Sequence, residues 1–291
     1  MKPIRAIAVL PTLFTLGNLI CGFFAIVVLS RIEKPATGAF DPAPRIAATL
    51  QSAKDLLASD DATHNLMLCG ALILLAMVFD SVDGQIARLT RQVSGFGAEL
   101  DSLCDLVSFG IAPAILLVKM CPQFTILHDK EIWSIAALFA CCAALRLARF
   151  NVETDSEDDH LAFAGLPTPA AAATVASFAI LSYSLRNEAA VVTHENFVIY
   201  DAWMQRLLPF FAIAIAILMV SRIPYPHPLS QLVRGQSSFA HLVGIVFAVM
   251  ALLVVRGYAV PLLCVLFVLI PPLRFAWEVV RHRRTSKEPL F

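Results

Sequence analysis

DSVDGQIARLTRQVSGFGAELDSLCD, residues 80–105, sets four aspartates into a chain whose other segments are mostly apolar. The stretch fits the pattern D-x-x-D-G-x-x-A-R-x8-G-x3-D-x3-D. Residues three or four apart share a helix face, so Asp80 and Asp83 form one carboxylate pair and Asp101 and Asp105 another. A turn around 90–96 would fold the two helices side by side and bring all four carboxylates to one point.

The solvent around that point is set by composition. The 291 residues are 58% hydrophobic and 15% charged, with a mean hydropathy of +0.75, whereas soluble domains carry roughly 25% charged residues. Apolar stretches at 13–29, 66–79, 106–120, 133–145, 166–185, 207–221, 239–255 and 258–273 each approximate one bilayer crossing once their flanks complete the helix. The expected fold is therefore all-α, a polytopic bundle of about eight transmembrane helices in a single integral membrane domain over residues 1–291. A formal net charge of zero gives no bulk attraction for nucleic acid. The first apolar run is too long for a signal peptide and no small-x-small cleavage site follows it, so it reads as a retained span.

Charge distribution sets the expected orientation. With Lys2 and Arg5 on the cytoplasmic side, Arg88, Arg91, Arg146, Arg149, Arg222, Arg234, Arg274, Arg281, Arg283, Arg284 and Lys287 also fall inside, most of the 22 Lys and Arg. The aspartate segment then faces the cytoplasm. Residues 31–65 form a long extracytoplasmic loop, in which Ile46, Leu50 and Leu57 recur at helical spacing, as in a short surface helix. Residues 275–291 form a basic cytoplasmic tail that suits anionic headgroups. The seven cysteines show neither a CxxC pair nor zinc spacing with His and read as small core residues.

Carboxylates at membrane depth cost a few kcal/mol apiece even on mild insertion scales, so they mark function. Four oxygen ligands without thiolate or imidazole suit a hard cation such as Mg²⁺ or Mn²⁺, and two ions are geometrically plausible. Mg²⁺ commonly shares its shell with substrate phosphates, which points to phosphate-ester chemistry on a diphosphate. Gly84, Ala87 and Gly97 would let a ligand approach the backbone, and Arg88 offers a phosphate or flat polar group its guanidinium. Individual aspartates also serve as proton relays or ion-pair partners, and a divalent-cation channel also places carboxylates at this depth. A channel has no use for the Gly84/Arg88 element. An intramembrane prenyltransferase would hold its aspartate motifs far apart in sequence.

The motif resembles the signature of the CDP-alcohol phosphotransferase family. LPTLFTLGNLICGF (10–23), GAELDSLCDLVSFGIAPA (97–114), ALRLARFNV (144–152), FAGLPTPAAA (163–172) and SRIPYP (221–226) narrow the resemblance to the integral-membrane phosphatidylserine synthases. The resemblance implies a bundle that binds CDP-diacylglycerol, transfers its phosphatidyl group to L-serine and releases CMP. By position it makes Asp80, Asp83 and Asp101 metal ligands, and Asp105 both the base toward the acceptor hydroxyl and a possible ligand. It puts CDP against Gly84, Ala87, Arg88 and Gly97. Many members carry Asn where this chain has Thr12, and Asn18 is the residue available to replace that nucleotide contact. Ser81 stands where a glycine is frequent. A homodimer in the inner cell membrane or its equivalent is implied by analogy alone.

The acceptor carboxylate needs a cationic partner, and Arg146, Arg149 and Asn151 lie together at a cytoplasmic helix end, with Ser108, Thr168 and Arg222 as weaker candidates. Other acceptors are open within the family. Glycerol 3-phosphate or inositol phosphate would call for a denser basic pocket, and choline for an aromatic cage.

Overall fold

The computed structural model describes residues 9–32, 60–90, 95–121, 129–154, 165–187, 194–225 and 259–285. These form seven helices: α1 (Val9–Ser30), α2 (Asp60–Thr90), α3 (Gly95–Met120), α4 (Asp129–Thr154), α5 (Thr168–Asn187), α6 (His194–Val220) and α7 (Ala259–Thr285). Segments Thr12–Ser30, Ala62–Gly84, Gly95–Met120, Lys130–Val152 and Val260–Glu278 are long and apolar enough to cross a bilayer, and α6 carries a shorter apolar stretch, Arg206–Val220. The described residues thus form helices, and five candidate spans among them point to an integral membrane protein. The apolar stretch 239–255 and the surface-helix pattern at Ile46, Leu50 and Leu57 lie outside them.

Two boundaries differ from expectation. The polar stretch 31–65 gives way to helix at Asp60. The tail expected from 275 onward continues α7 to Thr285, because its residues include no glycine or proline after Pro272 to stop the helix.

The spans turn many large apolar residues outward, as lipid permits, while α3 keeps Phe109, Leu116 and Leu117 inside. On α1 the stripe Thr15, Asn18, Cys21, Ala25, Val28 and Leu29 is buried, while Leu13, Leu16, Ile20, Phe23 and Phe24 are exposed. Phe210 is exposed as well, whereas Phe211 packs edge-on against Phe178 in the interior. Helix α5 was expected to be an ordinary span but is central: Ala171 to Ser177 are all buried. Its Ala, Ser and Thr side chains let neighbouring helices approach closely. A Cβ on Gly70 of α2 would lie 2.8 Å from the Ala176 carbonyl oxygen.

Cross-helix neighbours fix the registers. On α3 and α4, Ser102 faces Asn151 and Gly110 faces Ala143, so these helices run antiparallel. On α1 and α3, Asn18 meets Asp105 and Gly22 meets Ser108, so these run parallel. On α2 and α5, His64 faces Tyr183 and Gly70 faces Ala176, which extrapolates to Thr168 near the level of Val78 and Phe79, just before Asp80.

Cysteines 21, 69, 104, 121 and 142 are buried and unbridged, matching the core reading, while Cys141 is exposed and Cys264 intermediate.

Candidate active site

Helix α3 is built in three pieces: α-helix Gly95–Asp105, a π-helical segment Leu106–Ile111, and α-helix Ala112–Met120. The Ala112 amide bonds to the Val107 carbonyl, five residues back. Asp105 is thus the last residue before the helix widens, and such insertions re-aim side chains at functional sites. Glycine 22 allows α1 to lie against this turn: a Cβ there would come within 2.7 Å of Ser108 Cα. Ser108 itself is fully buried and donates its hydroxyl to the Asn18 carbonyl at 3.0 Å.

Carboxylate oxygens of Asp80, Asp101 and Asp105 all lie within 4.8 Å of one another. Asp80 and Asp101 are half-buried and Asp105 is buried. At that separation each ionised pair repels by about 3 kcal/mol for an effective dielectric of 20, so the ionised group calls for compensating positive charge, the alternative being protonation. Asp83 stands beside this group and outside it. Residues three apart on a helix diverge by about 60° and residues four apart by about 40°, so the Asp80/Asp83 pair splays more than Asp101/Asp105. Asp83 is buried and takes a hydrogen bond from the Thr15 hydroxyl.

Two further observations test a cation at this place. Asp83 Oδ2 and Asp101 Oδ1 are buried carboxylate oxygens with no hydrogen-bond partner among the described residues. Orphaned buried acceptors are costly, and a divalent ion bound among oxygens satisfies such atoms. The donor set, all carboxylate, fits Mg²⁺ or Mn²⁺; neither ion is singled out.

The remaining expected residues fall as follows. Gly84 and Gly97 are half-buried, and the backbone at 87 and 88 is helical within α2, while the side chains of Ala87 and Arg88 lie outside the described set. Asn18 is fully buried and donates from Nδ2 to Asp105 Oδ1 at 2.8 Å. Asn151 and Ser102 hydrogen-bond to each other through Nδ2 and Oγ at 3.0 Å, which holds α4 against the aspartate helix one residue after Asp101. The α3–α4 register then sets Arg149 and Arg146 at the levels of Cys104 and Val107, on either side of Asp105. Arg146 Nε donates to the Leu166 carbonyl at 2.7 Å. Thr168 is fully buried, its hydroxyl oxygen without a partner among the described residues, and Arg222 is exposed.

The turn before α5 explains two of the quoted motifs. Gly165 has φ +97°, a left-handed conformation natural to glycine, and its amide donates to the Ile223 carbonyl at 2.9 Å. Leu166 donates to the Leu218 carbonyl at 3.0 Å. GLPTP and SRIPYP therefore meet in one junction, which Tyr225 ties to α7 through a 3.0 Å bond to the Val268 carbonyl.

Sequence reasoning missed Thr15 as a partner of Asp83 and Ser102 as a partner of Asn151. The signal on α1 was present in retrospect: Thr15 and Asn18 are three apart on one face of an apolar span.

A family model described as CDP-alcohol phosphatidyltransferase matches residues 8–217. The chain belongs to this family. The matched region holds all four aspartates and the helices that surround them. The chain is 38% identical over 157 residues to an archaetidylserine synthase of Methanothermobacter thermautotrophicus, covering 53% of this chain and 56% of that protein. It is 34% identical over 158 residues to a CDP-diacylglycerol–serine O-phosphatidyltransferase of Helicobacter pylori, covering 54% and 59%. A protein of the same name from Methanocaldococcus jannaschii is 38% identical over 159 residues, covering 54% and 62%. The matched part thus spans little more than half the length of these relatives. The carboxylate group is consistent with a metal site of this family.

Proposed function

We propose that the chain transfers the phosphatidyl group of CDP-diacylglycerol to L-serine, giving phosphatidylserine and CMP, at a site facing the cytoplasm in the inner cell membrane or its equivalent. The observation that carries this reading is the convergence of Asp80, Asp101 and Asp105 within 4.8 Å, with oxygens on Asp83 and Asp101 unpartnered among the described residues, inside a segment matched by the family. The serine acceptor is favoured by the names of the relatives. The archaetidylserine synthase match favours a second reading of the lipid alone, with a different CDP-linked lipid donor.

In the mechanism, Asp80, Asp83, Asp101 and Asp105 would hold one or two Mg²⁺ or Mn²⁺ ions. When bound, the metal neutralises the diphosphate and stabilises the departing CMP. Gly84, Ala87 and Gly97 leave room for the CDP moiety beside the backbone, and Arg88 pairs with its phosphate or base. Arg146, Arg149 and Asn151 orient the serine carboxylate. Asp105 accepts the serine hydroxyl proton as the oxygen bonds to the lipid phosphorus and the bond from that phosphorus to the CMP oxygen breaks. The acyl chains stay in lipid between spans.

The test is an acceptor panel. Purified chain in lipid nanodiscs is given CDP-diacylglycerol with serine, choline, glycerol 3-phosphate or inositol phosphate, with and without chelator, and CMP release is measured. Chelator-sensitive release with serine is expected. Release with another acceptor in preference to serine would overturn the acceptor assignment, and metal flux into liposomes without CMP release would overturn the transferase reading.

A further inference from the structure

Asn18 was expected at the nucleotide; its side-chain nitrogen is engaged by a carboxylate, while its side-chain oxygen has no partner among the described residues. It is fully buried on α1 and its Nδ2 donates to Asp105 Oδ1 at 2.8 Å, across 87 residues of sequence. Its backbone carbonyl takes the Ser108 hydroxyl at 3.0 Å, and Gly22, one turn on, allows α1 to touch the backbone of Ser108. Three contacts therefore lock the Asn18 end of α1 to the point on α3 where the helix widens after Asp105. Thr15, three residues earlier on the same buried stripe, donates to Asp83 on α2. Helix α1 thus presents two donors, one helical step apart, to carboxylates on two other helices.

We infer that Asn18 is a positioning residue for phosphatidyl transfer, its amide holding the Asp105 carboxylate in the orientation that meets Asp80 and Asp101; this rests on the function proposed above. Orientation matters at this carboxylate because Asp105 is asked both to join the cation site and to take the acceptor proton. An N–H donor suits a carboxylate that acts as acceptor, and a fixed side chain of this kind keeps the reacting groups within the narrow geometry that transfer requires. A misplacement of about 1 Å in such a site lowers rates by about 10²-fold. Asn18 need not touch substrate for this effect, so its loss falls on turnover and leaves CDP-lipid affinity in place.

The experiment compares wild type, Asn18→Ala and Asn18→Asp in lipid nanodiscs, with CDP-diacylglycerol, serine and saturating Mn²⁺. Asn18→Asp keeps the shape of the side chain and removes the donor. Expected are kcat values lowered roughly 10–100-fold, a KM for CDP-diacylglycerol within about twofold of wild type, and Asn18→Asp no more active than Asn18→Ala. A space-filling role predicts the opposite order, with Asn18→Asp the better enzyme, and that order overturns the inference. Unchanged kcat, or a loss confined to KM for the CDP-lipid, overturns it too, the latter returning Asn18 to the nucleotide. Should wild type itself show no turnover with serine, the proposed function fails separately, and Mn²⁺ affinity read by electron paramagnetic resonance decides for Asn18. A dissociation constant raised about tenfold in both variants then supports the inference and an unchanged one overturns it.

Discussion

Replacing Gly22 by alanine should disable the site from outside it. The added Cβ would lie 2.7 Å from Ser108 Cα and 2.9 Å from Ser108 Cβ, whereas carbon atoms rest at about 3.5–4.0 Å. The Ser108 hydroxyl is nearer still and could turn away, but Ser108 Cα is backbone, so no rotamer change relieves the clash and α1 must retreat by about 1 Å. Added to the 2.8 Å Asn18–Asp105 bond and the 3.0 Å Ser108–Asn18 bond, that retreat carries both beyond about 3.5 Å, where little hydrogen bonding survives. Overpacking costs about 1–3 kcal/mol and each lost bond about 1 kcal/mol. Because movement trades one against the other, a net loss of about 2–4 kcal/mol is expected, a melting shift of roughly 5–10 °C. Displacement of Asp105 should lower kcat about 10²-fold. The control is Gly17→Ala, whose Cβ would meet only the Phe79 ring at 3.4 Å, and which should melt and turn over much as wild type does. The assay pairs CMP release with thermal melting in nanodiscs. Wild-type turnover and melting in Gly22→Ala would refute the close approach of α1 to the π-helical segment.

Two other substitutions probe different parts of the account. Arg149→Ala should raise the KM for serine about tenfold with a smaller change in the KM for CDP-diacylglycerol, as expected for a charge-assisted contact worth about 1.5 kcal/mol; an unchanged serine KM would leave Arg149 a topology determinant only. Gly165→Ala should lower thermal stability by about 2 kcal/mol or more, since its φ of +97° disfavours a side chain and the new Cβ would lie 2.9 Å from the Ser221 carbonyl oxygen. Wild-type melting in that variant would mean the junction between 165–166 and 218–223 is not tightly closed.

Much of the site was legible in residues 80–105, because paired carboxylates at helical spacing in an apolar chain leave few alternatives. The meeting of the two aspartate helices was expected from that spacing, while the turn expected around 90–96 falls mostly outside the described residues. Asp83 fell outside the tight group for a reason also contained in the spacing, the wider divergence of residues three apart. Other features were not readable. The bond from Asn18 to Asp105 joins residues 87 positions apart, and no periodicity within α1 names its partner. The π-helical segment at Leu106–Ile111 shifts the phase of α3, which pattern matching assumes to be constant. Helix α5 resembled a span because it is apolar, yet its small residues, buried from Ala171 to Ser177, mark an interior helix. The bond from Ser108 to the Asn18 carbonyl was likewise not readable from its polarity.

The most direct test of the account is Mn²⁺ binding to the purified chain in nanodiscs, followed by electron paramagnetic resonance. Wild type should bind Mn²⁺ and change its spectrum when CDP is added, while Asp101→Asn, still folded by melting, should lose both the bound signal and CMP release. A folded Asp101→Asn that binds Mn²⁺ and turns over as wild type does would contradict the claim that these carboxylates form the metal site.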